Sequence, residues 1–171
     1  MDPRTLPQPT RTGTGWQVVA TPAPGWHPHL RLLFGHWQSR CHDGRLPSRA
    51  GVDPVGLRGI LPWIWMLDVQ RDPWRFRYRL AGTRFVAVLG FEVTQCWYDE
   101  VRPLAWAANR SRLYAVTHDG QPTWRRGPMP LENGSWRDTE NLMLPLAADG
   151  RTVDIVLGIS VSYDSHGLMI A

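Results

Sequence analysis

The feature that most constrains this chain is the pair of strand-like runs near its C-terminal end, "WRDTENLMLPLA" and "TVDIVLGISVSY", joined through "ADG". In the second run Val153, Ile155, Leu157, Ile159, Val161 and Tyr163 alternate with Asp154, Gly158, Ser160 and Ser162, a period of two. That period is the signature of an antiparallel strand with one face buried and one face polar. The intervening Asp-Gly is a hairpin turn signal, and "QPTWRRGPMPL" supplies a third strand before the pair.

A second strand block lies upstream. "WIWMLDV" reads as a buried strand, "RDP" as a turn, and "RFRYRLAG" as a strictly alternating partner. Arg75, Arg77 and Arg79 share one face of that partner, and Phe76, Tyr78 and Leu80 the other. The arginine stripe is expected on the outer side of the sheet, paired with carboxylates such as Asp68 or Asp154. Asp99 and Glu100 read as solvated charges.

Between the two strand blocks the pattern is helical. "GTRFVAVLG" is a short helix ending at Gly90, "FEVTQCWYDEV" is irregular or weakly helical, and Pro103 to His118 forms the longest helix, stopped by "HDG". Ahead of everything, Leu30, Leu33, Phe34, Trp37 and Cys41 follow the spacing of one helical face, and Gly44 closes a helix of about 14 residues. Its apolar stripe has two outlets, the body of its own domain or a twin in a dimer. "VDPVGLRGILP" reads as a short helix capped by Asp53. Two strand blocks around a helical middle define an α+β class, a five-stranded antiparallel sheet with helices on one face and an N-terminal amphipathic helix.

At 171 residues the chain is long enough for one domain with a real core. Four segments are expected: a flexible tail over 1–26, rich in Pro, Thr and Gly; the N-terminal helix over 27–45; the main domain over 46–165; and a short tail over 166–171. All nineteen basic residues are Arg, and the net charge of +4 is spread along the chain, so nucleic acid is an unlikely partner. No apolar run has the length to span a bilayer and the N-terminus lacks a signal-peptide core, so no membrane association is expected. Cys41 and Cys96 form no paired motif, which fits a reduced, cytoplasmic protein.

Four segments together resemble a group of short bacterial stand-alone PAS proteins. They are "WQSRCHDGRLPSR" (37–49), "DPVGLRGILPWIWMLDV" (53–69), the F-R-Y-R-L-x-G-T signature from Phe76 to Thr83, and "ENLMLPLAADGRTVDIVLG" (140–158). The likeness covers about Leu30 to Tyr163. The chain departs from the group at Trp63, where His is common, and in "GFEVTQ", where the group has G-R-D-x-T-G. The resemblance implies a PAS-like sensory or regulatory domain that holds a small molecule, or a partner, between sheet and helices, and it does not imply catalysis; signalling through a homodimer or an effector partner without enzymatic activity is expected, with a protein-interaction scaffold of filled core as the alternative.

On the long helix, Leu104, Ala107, Ala108, Ser111 and Ala115 fall on one side with His118 near the same line. A face of small residues either packs closely on the sheet or leaves a cavity, and the resemblance favours the cavity. Strand parity and helix phase then give the candidate ligand site: Trp65, Tyr78, Leu80, Phe85, Leu89, Trp106, Ala107, Ser111, Tyr114, Leu142, Leu144 and Leu157, with Tyr78 and Ser111 as polar handles. The ligand and any cofactor are unknown at this level. His118 raises the question of haem, but a lone His specifies nothing. The cysteine run of flavin photosensors is absent from the sequence. His27, His29, His36, Cys41 and His42 fit no metal-site spacing, and no metal or catalytic residue is assigned.

Overall fold

The computed structural model describes residues 16–170. The elements are β1 (Trp16–Val18), α1 (Pro28–Ser39), β2 (Ile64–Arg71), β3 (Trp74–Ala81), α2 (Thr83–Leu89), α3 (Tyr98–Val101), α4 (Pro103–His118), β4 (Thr123–Pro130), β5 (Trp136–Leu146) and β6 (Ile155–Tyr163). The strands form one antiparallel sheet in the order β1-β4-β5-β6-β2-β3. Five of its strands are those expected from the sequence. The sixth, β1, lies within the segment read as a tail, pairs with β4, and is followed by the buried Val19 and Trp26. The first fifteen residues of that expected tail, and Ala171 of the C-terminal one, lie outside the described residues. At the other end Met169 bridges to Tyr163 and Ile170 N–H donates to Ser162 O, so residues 169–170 fold back on β6.

Both faces of the sheet are covered, one by helices α2–α4 and the opposite one by the N-terminal helix. Helix α1 lies on one face, and its Leu30, Leu33, Phe34 and Trp37 pack with Leu142, Leu144, Leu157, Ile159 and Val161. The apolar stripe of α1 therefore buries against its own domain, the first of its two outlets. Helices α2, α3 and α4 cover the other face, around Trp65, Leu67, Phe76, Tyr78, Phe85 and Leu113. The helix α1 stops at Ser39, short of Gly44, which instead sits in a turn at φ 70°. Residues 54–60 are turns and Leu61–Trp63 a 3-10 segment rather than one capped helix, although Asp53 Oδ1 does accept from Val55 N–H as a local turn.

Two backbone details decide which side chain reaches which face. The pairing of β2 with β3 slips between Met66 and Leu67: Met66 faces Leu80 while Leu67 faces Tyr78, leaving Arg79 as the extra residue of a bulge. The slip breaks the two-residue alternation, so Tyr78 and Leu80 point to opposite faces. At the end of β3 the signature glycine, Gly82, lies against the preceding segment. A Cβ there would sit 2.4 Å from Pro62 O and 2.5 Å from Leu61 O, so only glycine fits.

The arginine stripe is paired. Arg75 donates to Asp99 Oδ1 at 3.1 Å and to Glu100 Oε1 at 2.6 Å, and Arg79 donates to Asp68 Oδ1 at 2.6 Å. The acidic neighbours Asp99 and Glu100, expected to be free in solvent, thus converge on one guanidinium. Asp154 is engaged elsewhere, its Oδ2 accepting from Ala148 N–H.

Candidate functional site

Between the sheet and helices α2–α4 lies a cavity of about 40 Å³. Its wall is built from the inward residues of every major strand pair. On β6 these are Ser160 and Ser162, on β5 Thr139, Asn141 and Met143, and on β2 and β3 Trp65, Leu67 and Tyr78. The helical side contributes Phe85, Val88 and Leu89 from α2, Tyr98 from α3, and Arg102 and Asn109 at and within α4. One side of the space is thus apolar and the other polar.

The polar side is a connected network. Trp65 Nε1 donates to Ser160 Oγ at 2.8 Å, and Asn141 Nδ2 donates to the same oxygen at 2.7 Å. The Trp65 indole can reach across β6 because Gly158 lies beneath it; a Cβ there would be 2.2 Å from the indole ring. Asn109 Nδ2 donates to the Tyr98 hydroxyl at 3.0 Å, and Arg112 Nη1 donates to Asn109 Oδ1 at 3.2 Å. Arg112 is fully buried, and Nη2 also donates to the carbonyls of Thr123 and Asn141 at 3.3 Å each. Burial, above all, and then the neighbouring Arg125 push its pKa down to about 9. The phenols of Tyr78 and Tyr98 are pushed the other way, burial again being the first cause, so both keep their protons at neutral pH.

The expected site residues divide cleanly. Trp65, Tyr78, Phe85 and Leu89 line the cavity, and Trp106 packs beside it against Phe76 and Tyr98. Leu142, Leu144 and Leu157 face α1 on the opposite side of the sheet. They were assigned to the cavity because they are the apolar stripe of their strands, but that stripe is spent on α1 and the polar stripe faces inward. Leu80, displaced by the bulge, lies with Ile64 and Met66 along a groove of that same opposite side.

Helix α4 is rotated from its expected phase. Ala107, Ser111 and Tyr114 are exposed, while Ala105, Asn109, Arg112, Leu113 and Val116 are buried. Ser111 Oγ accepts from Trp16 Nε1 at 3.0 Å, and Tyr114 stacks on His118 with centroids 4.0 Å apart. His118 is exposed and does not line the cavity. Arg102, Asn109, Tyr98, Thr139, Asn141, Ser160 and Ser162 were missed, since polar residues on a helix or strand read as the solvent side. One signal was available: β6 alternates Ile, Val and Tyr with Gly and Ser and carries no charge after Asp154, a composition that suits a covered polar face.

The histidine-rich segment has structural work. His27 Nδ1 accepts from His29 N–H at 3.1 Å, capping α1, and His36 Nε2 accepts from Asp53 N–H at 3.1 Å. Among the described residues no three His, Cys, Asp or Glu side chains converge as a metal site. Neither Cys41 nor Cys96 lines the cavity.

An antiparallel sheet with a helical cap over one face and a cleft between them defines the class as a PAS-like fold. A PAS domain family matches residues 26–161, most of the chain, and the chain belongs to that family. Among solved structures it is similar to one described as "Structure of an RNA-binding Light-Oxygen-Voltage Receptor", at 16% identity and a TM-score of 0.51, covering 91% of this chain and 40% of that one. It is also similar to a Rhodobacter sphaeroides LOV protein, at 16% identity and a TM-score of 0.48, over 64% of this chain and 67% of that one. The chain thus spans less than half the length of the RNA-binding receptor it matches, and the likeness is one of fold. No protein of curated function matches it. Among the described residues no helix is long and apolar enough to cross a membrane.

Proposed function

We propose that this chain is a sensory or regulatory PAS domain of the short bacterial stand-alone kind, acting in the cytoplasm, which binds a small molecule in the cleft between sheet and helices and passes its occupancy to a second copy or an effector protein. The observation that carries the reading is the buried polar network around Ser160, Asn141, Asn109 and Tyr98. A protein that merely fills its interior gains nothing from a polar wall, because buried polar groups must be satisfied one by one. Asn141 Oδ1, buried at this wall, has no partner. No reaction is required of the site, and the arginine stripe that could have served nucleic acid is engaged by Asp68, Asp99 and Glu100.

Flavin is the ligand that a likeness to light-oxygen-voltage proteins brings to mind, and the residues do not fit it. The space of about 40 Å³ is well under the roughly 150 Å³ of a cavity that holds a benzene ring, and no cysteine borders it. The small volume favours one rival, an interaction scaffold with a closed interior.

Native mass spectrometry with an absorption spectrum of the purified chain separates the two. A retained small mass supports the sensor reading. A bare chain whose melting temperature responds to no member of a metabolite library supports the scaffold and overturns the sensor.

A further inference from the structure

We infer that the cleft is an anion site, selective for a short-chain carboxylate whose head meets Arg102, Tyr78 and Tyr98 and whose tail lies toward Phe85 and Leu89. The inference rests on the sensor reading above and gives the ligand its chemical class.

Three observations carry it. The first is charge. Arg102 is 5% exposed at the cavity wall, Arg112 is 0% exposed directly behind Asn109, and Arg125 is 8% exposed beside Asn141 on the same face. Against them stands Glu132, whose Oε1 is 4.0 Å from Arg102 Nε. Among the described residues no carboxylate forms an ion pair with Arg112, which is held by Asn109 Oδ1 and the carbonyls of Thr123 and Asn141, while Asp138 lies near enough to Arg125 to favour its charge. Buried guanidinium groups are ordinarily paired, because an unpaired buried charge is costly. The Nε of Arg112 is moreover buried without a partner.

The second observation is the direction of the hydrogen bonds. The Tyr98 oxygen accepts from Asn109, and the Tyr78 ring and Arg102 line the same cavity beside it. The Ser160 oxygen accepts from both Trp65 and Asn141. The Ser160 oxygen thus has both lone pairs engaged and the Tyr98 oxygen one, which leaves the proton of each free to donate. Burial keeps both phenols protonated, so they remain donors at any physiological pH. A wall of donors backed by cations recognises an anion.

The third observation is shape. The cavity of about 40 Å³ matches a carboxylate head alone, and Phe85, Val88 and Leu89 on the short helix α2 form the apolar wall that a tail must part to enter.

The test uses the full chain, with sodium acetate, propionate and butyrate against the neutral isosteres acetamide, propionamide and butyramide, in calorimetric titration and thermal melts at constant ionic strength. The carboxylates are expected to raise the melting temperature and to bind at least tenfold more tightly than the matching amides. Arg102→Met should abolish the response. Tyr98→Phe, which removes one oxygen and keeps the ring, should weaken it about tenfold, and its far-UV spectrum should be that of the parent. Equal binding of acids and amides, or carboxylate binding unchanged in both variants, overturns the anion site. A neutral mass retained in native mass spectrometry without any carboxylate response overturns the ligand class and leaves the sensor reading standing. No retained mass and no response to either series overturns both.

Discussion

The indole of Trp65 lies over Gly158, and no other residue at that position leaves room for it. Gly158→Ala should force the ring off β6, break the 2.8 Å bond to Ser160, and cost about 1–3 kcal/mol as an overpacked site. Urea denaturation reads the loss, and a red-shifted tryptophan emission would report the displaced indole. Glu140 is a second residue whose neighbours define it. Fully buried on the α1 side, its Oε1 accepts from His27 N–H at 2.9 Å and Trp124 Nε1 at 3.0 Å, and its Oε2 from the Tyr163 hydroxyl at 2.9 Å. Glu140→Gln keeps the shape but removes the charge that faces Arg126 at 3.7 Å and makes the Tyr163 hydroxyl turn from donor to acceptor, an outcome expected to cost about 1–3 kcal/mol. A variant as stable as the parent in urea would show that this carboxylate is not the anchor of the N-terminal segment.

At the scale of elements, the helices and strands were legible because their signals are local. Pro103–His118 has its proline at the first position and stops at the "HDG" turn, and the alternation of β6 survives intact from Ile155 to Tyr163. Which face of each element points inward was not legible, because that depends on what covers the far side. The apolar stripe of β6 is claimed by α1, a helix more than a hundred residues away in sequence, so its serines are left for the cavity. The inward turn of α4 is likewise set by Asn109 and Arg112 finding Tyr98 and the carbonyls of Thr123 and Asn141, partners that sequence spacing does not reveal. The bulge at Arg79 is invisible in "RFRYRLAG", yet it alone sends Leu80 to the other face. Helix α1 should accordingly behave as part of the core. Phe34→Ala, at a side chain 1% exposed, should cost about 3–5 kcal/mol, measured by denaturant melts. A cost below about 1 kcal/mol would mean that α1 is a detachable appendage rather than half of the core.

For the molecule as a whole, the junction between α1 and the sheet also sets a pH response. Burial, as the first cause, holds the pKa values of His27 and His29 below the ordinary 6.5. Below 6.5 the unfolded chain therefore takes up protons more readily than the folded one. The stability these histidines contribute is full above pH 6.5 and is lost as the pH falls through their folded values. His27 Nδ1 must moreover be unprotonated to accept from His29 N–H. Unfolding free energies at pH 7.5 and pH 5.5 should fall with acidity, and the His27→Gln, His29→Gln double variant should show a shallower slope. An unchanged slope would place the acid sensitivity elsewhere.

Strand β6 is a party wall. Its odd residues, Leu157, Ile159 and Val161, form the floor beneath α1, while Ser160 and Ser162 form the ceiling of the cavity, with one thickness of backbone between them. Neither room can be redecorated without the other hearing it: shifting Ser160 by even a fraction of an ångström moves the rigid peptide that joins it to Ile159. Ser160→Ala and Ile159→Val should therefore be non-additive, with a coupling of about 0.5 kcal/mol or more in a double-mutant cycle. Such acoustics run through the masonry itself, with no hinge and no moving lid.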